Sequence, residues 1–296
     1  MNHLFADSFD ARFDSEAACI EWLFQIRWPN GFECPSCAHS HATVISTRRL
    51  PLYECRRCLR QTSLTAGTIL EKSRTPLRKW LYAMWLMSQP EQGINAVRLQ
   101  SLLSVTYKTA FYMLRKLRLA MGSLEAQPAL SGSVQAGLDY LGRGILSVQE
   151  AAEGRKTPIM TAVAMDTTGC LNQVALAVVP PAFVRDRCLL PVGKIHFAER
   201  YIDPNATSAV IADSLLRTNR QFVNLRIYGH SFRDWMLQTF HGLGGGYLQT
   251  YLDEFVFQVN ASLQGVPPFE KLSYLSMRPA HPYVRSPRSV RPSLAA

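Results

Sequence analysis

Apolar side chains recur along the chain first with a helical period and later with a strand period. From Leu77 they return at Trp80, Leu81, Met84, Trp85 and Met87, the three-to-four spacing of one helix face. Ser73-Arg-Thr-Pro76 precedes them, with Thr75 placed to cap and Pro76 suited to the first helical position. Gln89-Pro-Glu-Gln-Gly93 breaks that helix. Ile94 to Leu103 reads as a short amphipathic helix and Ser104-Val105 as a tight turn. Thr106 or Tyr107 starts the next helix, with Ala110, Phe111, Met113, Leu114 and Leu117 on its apolar side. Two short helices joined by a brief turn are the outline of a helix-turn-helix.

A linker-like stretch from Gly122 to Gly132 separates this block from strand patterns at Val134 to Leu141, Ile159 to Met165 and Asn172 to Val179. Gly142-Arg-Gly144 and Thr167-Thr-Gly169 punctuate them, and Pro180-Pro181 ends the third. Val210-Ile-Ala-Asp213 is a short apolar run that ends in a carboxylate. Helical patterns follow at Ser214 to Asn219, Ser231 to Phe240 and Tyr247 to Asn260. Successive strands followed by strand–helix units predict an α/β or α+β domain with a mixed sheet.

Composition narrows the class. With 47% hydrophobic and 18% charged residues among 296, the chain buries a sizeable core, and global disorder is excluded. No apolar run approaches the roughly 18 residues of a membrane span. The N-terminus lacks the basic-then-apolar pattern of a secretory signal, so a soluble, cytoplasmic chain is expected. Residues 34–121 hold 14 Lys and Arg against 3 Asp and Glu, a balance of +11, whereas residues 122–296 hold 16 against 13. Basic density of that kind points to a polyanion, and inside a cell that means nucleic acid.

The cysteines sharpen the picture. Seven in 296 residues are too few for a disulfide scaffold. Four form two tight pairs, Cys34-Pro-Ser-Cys37 and Cys55-Arg-Arg-Cys58. Two residues between cysteines let one turn aim both sulfurs at a single ion, and a second such turn completes a tetrahedron, the pattern of structural Zn²⁺. A redox pair is the other use of such spacing. Arg56, Arg57 and Arg60 surround the second pair, guanidiniums suited to phosphate. Tyr107, Lys108, Arg115 and Lys116 on the second helix of the helix-turn-helix are the further candidates for DNA contact. His39 and His41 read as surface residues, and Cys19, Cys170 and Cys188 as small apolar ones.

The run from Tyr53-Glu-Cys-Arg-Arg-Cys-Leu-Arg-Gln to Lys79-Trp80 resembles the front end of bacterial insertion-sequence transposases with a zinc ribbon, relatives of the eukaryotic Merlin transposons. Tyr107 to Arg118 is similar to the helix before their catalytic domain, and Leu248 to Asn260 to their closing helix. The resemblance implies an α/β multidomain chain. It would comprise an N-terminal helical segment (1–30), a zinc ribbon (31–66), a helix-turn-helix-like domain (73–121), a ribonuclease-H-like mixed sheet with helices (130–262) and a basic Pro/Arg tail (263–296). It also implies Mg²⁺-dependent cleavage and strand transfer at duplex element ends, with three carboxylates holding two ions, on a bacterial nucleoid. A homo-oligomer fits that activity. Hard cations need oxygen ligands, which clamp the attacking and leaving oxygens of an in-line displacement.

The catalytic positions depart from that pattern. The second carboxylate matches Asp213, but an ungapped alignment puts Gly137 at the first, two residues before Asp139. Arg226 stands at the third, with Asp234 eight residues on. Asp139 and Asp213 are therefore the visible catalytic candidates, and impaired chemistry is expected. A silent DNA-binding relative, or a ribbon module that binds RNA or protein, are the alternatives.

Overall fold

A computed structural model of the chain describes residues 9–89, 93–141, 156–214, 222–240 and 247–279. Two compact units emerge. The first comprises the described residues of Met1–Ser88, Leu99–Ala120 and Phe269–Ala296, and the second those of Gln89–Arg98 and Met121–Pro268. Among the described residues no helix is long and apolar enough to cross a membrane.

The first unit contains helix α1 (Glu16–Arg27), strands β1 (Ala42–Ile45), β2 (Leu52–Cys55) and β3 (Gln61–Ser63), and helix α2 (Leu77–Met87). Helix α3 (Ala96–Leu103) leads to α4 (Tyr107–Met121). Ser15 caps α1 by accepting from the Ala18 N–H. Helix α2 is not capped by Thr75 as predicted. The Glu16 carboxylate accepts from the backbone N–H groups of Leu77 and Arg78, at 2.8 and 3.2 Å, so a residue of α1 supplies the anion that the α2 N-terminus attracts. Arg78 answers with bonds to the Phe13 carbonyl and the Asp10 carboxylate, both 2.6 Å. The predicted turn between α3 and α4 is present. Ser104 takes a positive φ of 48°, and Thr106 caps α4 through the Thr109 N–H at 3.2 Å.

Residues 268–277, read above as part of a tail, form helix α8 (Pro268–Met277). Pro268 begins it, and Phe269 packs edge-on to Phe13 and Trp85 at 5.8 and 5.3 Å. Proline marks a helix start here, because the first helical N–H has no intrahelical acceptor to lose. The arginines at 285, 288 and 291 lie outside the described residues.

The second unit is built on a four-stranded sheet: β4 (Ser133–Leu141), β5 (Thr157–Met165), β6 (Leu171–Val178) and β9 (Ser208–Ala212), in the order β6-β5-β4-β9. Between β6 and β9 the chain forms a small hairpin of β7 (Val184–Arg185) and β8 (Cys188–Leu189), then helix α5 (Pro191–Tyr201). Helices α6 (Val223–Thr239) and α7 (Leu248–Leu263) follow β9. The first three sheet strands are antiparallel, and β9 runs parallel to β4 with Gly137 opposite Ala212. Alternation sorts the side chains by face. Val134, Ala136 and Leu138 join Phe197 of α5 in one core. Leu141 and Ile159 join Phe232 and Met236 of α6 and Leu252 of α7 in another.

Helix α7 also closes the outer edge of β6. The Asn260 carboxamide, 2% exposed, accepts from the Val174 N–H at 2.7 Å and donates to the Val174 carbonyl at 2.9 Å. Gln249 does the same for the Val178 N–H and the Leu176 carbonyl. Two carboxamides thus replace the strand that the edge lacks, which keeps it from pairing with another chain. Glu254, which reads from sequence as a solvated helix residue, is fully buried. Asp253 is partly so. Burial raises its carboxyl to about 7, against the opposing pulls of the Gln249 amide and Arg200.

The unfolded chain releases the Asp253 proton near 3.8 and the folded chain near 7. Within that window the native state holds the extra proton, so stability falls as pH rises. Asp253→Asn is expected to flatten the dependence of the denaturation midpoint on pH between those values and to raise the midpoint above neutrality. An unchanged pH profile would show that this carboxyl titrates normally.

Candidate metal centre and nucleic-acid interface

The two cysteine pairs fold into near-identical knuckles. In the first, the Ala38 N–H returns to the Cys34 carbonyl at 2.9 Å and the Cys34 N–H donates to the His39 carbonyl at 3.0 Å. In the second, the Leu59 N–H returns to Cys55 and the Cys55 N–H donates to Arg60, both at 3.0 Å. The residue after each second cysteine takes a positive φ, 55° at Ala38 and 58° at Leu59. That conformation costs a non-glycine residue about 1–2 kcal/mol.

The knuckles lie side by side at one end of the β1-β2-β3 sheet and bring Cys34, Cys37, Cys55 and Cys58 together, with every sulfur within 4.8 Å of the others. Cys34 and Cys58 approach to 3.6 Å, as do Cys37 and Cys55. A tetrahedron with Zn–S of about 2.3 Å has edges of about 3.8 Å. The four cysteines are therefore positioned to bind a metal, and both donor type and spacing fit zinc. Burial opposes the thiolate at Cys34, but the Ser36 and Cys37 amides and the neighbouring thiols outweigh it and bring its pKa down to about 6. At Cys55 the amides of Cys58 and Arg57 likewise overcome burial and lower the pKa.

The ribbon has little apolar core of its own. Phe24 and Trp28, with Phe32 just beyond α1, pack on Tyr53 of β2 at centroid distances of 5.3, 5.1 and 5.8 Å. Arg27 reaches past them to the Ser63, Leu64 and Ala66 carbonyls, at 3.2 Å for Ser63 and 2.6 Å for Ala66. Its guanidinium also lies 4.6 Å from the Trp28 ring centroid. Burial brings its pKa down to about 10, so it stays charged.

The candidate phosphate-binding residues separate into two groups. Arg56, Arg57 and Arg60 are exposed on the second knuckle, and Tyr107 and Lys108 are exposed at the start of α4. Arg115 is half-buried. Lys116 does not join them. Its ammonium donates to the Ile69 carbonyl at 2.7 Å and lies 5.9 Å from the Trp80 ring centroid. Burial lowers its pKa, with Glu71 pulling it back. It acts as an internal brace because its stem runs along the apolar side of α4. Arg118 is buried as well.

In the second unit, Asp139 and Asp213 lie near the same end of the parallel pair β4 and β9. The Asp213 carboxylate is ion-paired with Lys194 of α5, and its carbonyl accepts from the Leu189 N–H at 2.8 Å. The Asp139 carboxylate lies against Gly229 of α6, where an added Cβ would sit 2.9 Å from its oxygen. The buried Thr161 hydroxyl is beside it, without a hydrogen bond. Arg226 is half-buried on α6, and Asp234 is exposed. Among the described residues, the four cysteines are the only group of three or more Cys, His, Asp or Glu side chains placed to share an ion. Two carboxylates, one already bound to an ammonium, do not fit a pair of divalent ions. Lys194 and Gly229 carried no signal in the sequence, since each acts only through strand register and helix placement.

The chain has been compared with known proteins. Residues 14–61 match the family model of the transposase zinc-ribbon domain. The chain is also 30% identical, over 224 residues, to a Halobacterium salinarum protein described as an uncharacterized protein in transposable element ISH50. That alignment covers 75% of this chain and 69% of the relative. No solved structure matches it.

One equivalent of zinc per chain is expected by elemental analysis under reducing conditions. Cys34→Ser should lose it, with a change in Trp28 fluorescence as the aromatic cluster loosens. Full retention of zinc by that variant would exclude the four-thiolate site.

Proposed function

The chain belongs to the zinc-ribbon transposases of insertion sequences, and from that premise we propose that it binds duplex DNA at element ends with its strand-transfer chemistry impaired. The observation that carries the DNA-binding half is the placement of Arg56, Arg57, Arg60, Tyr107 and Lys108, all on the surface of the unit that holds the ribbon and the start of α4. Terminal repeats of the element are the natural target, and a homo-oligomer would pair two such ends.

The second unit is read as a ribonuclease-H-like domain. In its support, Asp139 stands on the first strand and Asp213 just beyond a strand that pairs with it in parallel. Impairment is supported by what surrounds them: Lys194 on Asp213, Gly229 packed against Asp139, and a guanidinium at Arg226 on the helix where the third acid is expected. A guanidinium does not deprotonate in proteins and repels a divalent ion. The same observation favours a second reading, a DNA-binding regulator descended from a transposase.

Binding of the full chain to duplex DNA should weaken steeply with salt, and Lys108→Ala should reduce the logarithmic salt slope by about 1. Lys116→Ala should leave the slope unchanged and lower thermal stability instead. The opposite assignment of the two effects would reverse the orientation of α4 on DNA.

Cleavage of DNA carrying the element's own ends, in Mg²⁺ or Mn²⁺, should stay near background. Robust cleavage abolished by Asp213→Ala would restore full transposase activity to the chain.

A further inference from the structure

Leu59 on the second knuckle combines a strained backbone with an exposed apolar side chain, and only the first serves the knuckle. Its side chain is 69% exposed, and its backbone sits at φ 58°. The knuckle needs that backbone, because the Leu59 N–H must turn back to the Cys55 carbonyl. It does not need that side chain. Ala38 occupies the same place in the first knuckle, at φ 55° and with the same pair of hydrogen bonds. Glycine would be the cheapest occupant of either position. A strained residue that also presents apolar surface to water points to a use outside the fold.

The surroundings of Leu59 say what that use is. Arg56, Arg57 and Arg60 flank it in the sequence, all exposed. Glu54, the nearest acid in the sequence, accepts from Gln61 Nε2 at 2.8 Å. An exposed aliphatic tip within three residues of three exposed guanidiniums matches the minor groove of duplex DNA. The negative potential there draws guanidiniums, and an aliphatic wedge can enter between base steps. In the major groove a leucine meets at most a thymine methyl, and base-edge hydrogen bonds there fall to the arginines alone. A phosphorylated peptide would engage the arginines and leave the leucine in water.

Resting on the DNA-binding reading above, we infer that Leu59 is a minor-groove wedge. Its side chain enters a base step while Arg56, Arg57 and Arg60 hold the groove walls and flanking phosphates, and the ribbon thereby bends the DNA it binds. Pyrimidine–purine steps, which unstack most readily, are the preferred point of entry.

The test uses the full, zinc-loaded chain and a duplex of about 30 base pairs with a central TA step, end-labelled for resonance energy transfer. The unaltered protein should bring the ends closer together. Leu59→Gly should retain zinc and melt no lower than the unaltered protein, because it relieves the positive φ. It should nevertheless bind about tenfold or more weakly, leave the duplex straight and keep the salt slope unchanged. Leu59→Met should still bend the duplex. Ala38→Gly, the control in the first knuckle, should share the stability effect and leave binding unaltered. Bending and affinity equal to the unaltered protein in Leu59→Gly would overturn the wedge alone. Failure of the unaltered chain to bind duplex DNA would overturn the DNA-binding reading and the wedge together.

Discussion

Four sulfurs within 4.8 Å of one another cannot all carry charge unless a cation lies among them. The first unit is organised around that constraint. The three-stranded sheet of the ribbon is too small to hold its shape by burial, so the knuckles and the aromatic contacts of Tyr53 fix it. With the sulfurs converging inward, the side chains between and after the cysteines are turned outward. The exposed guanidiniums of Arg56, Arg57 and Arg60 thus follow from the same geometry that gathers the thiols.

The second unit meets a different constraint, an open sheet that needs covering. Its two faces are served by α5 on one side and by α6 and α7 on the other. The small residues Ala136, Ala162, Ala164, Ala175 and Ala177 line the face toward α5. The carboxamides of Gln249 and Asn260 then serve the exposed edge of β6. The sheet and its covering helices are thus complete as a framework, whichever side chains stand at the ends of β4 and β9. A sheet of this kind is held by hydrogen bonds and apolar contacts that do not depend on the carboxylates of Asp139 and Asp213.

What could be read from the sequence was what local chemistry dictates. The cysteine pairs and the turn between α3 and α4 were legible because spacing and turn residues determine them. The strands of the sheet were found to within two residues at either end by their apolar runs. Contacts between distant segments were not legible. Thr75 is a good cap by its chemistry, but Glu16 takes that role from sixty-one positions away. Lys116 and Lys108 look alike as basic helix residues, yet one braces the interior and the other faces water. Helix α5 and the β7–β8 hairpin escaped notice because their apolar positions are few and are interrupted by Pro191 and Asp186-Arg187. Helix α8 was hidden by Pro267-Pro268, which reads equally well as a break or as a start.

The bond from Glu16 to the first N–H groups of α2 joins the two ends of the segment that carries the ribbon. Everything between α1 and α2 is in effect a loop fastened at its base by a contact that contains no sulfur. If the ion is withdrawn, that loop slackens while its anchors stay where they were. Because the base of the loop is already closed, the returning ion orders only the segment within it and has no search across the whole chain to drive. The tip of the ribbon can therefore be lost and recovered as a reversible local event, with the supply of metal setting the fraction of molecules in which it is formed.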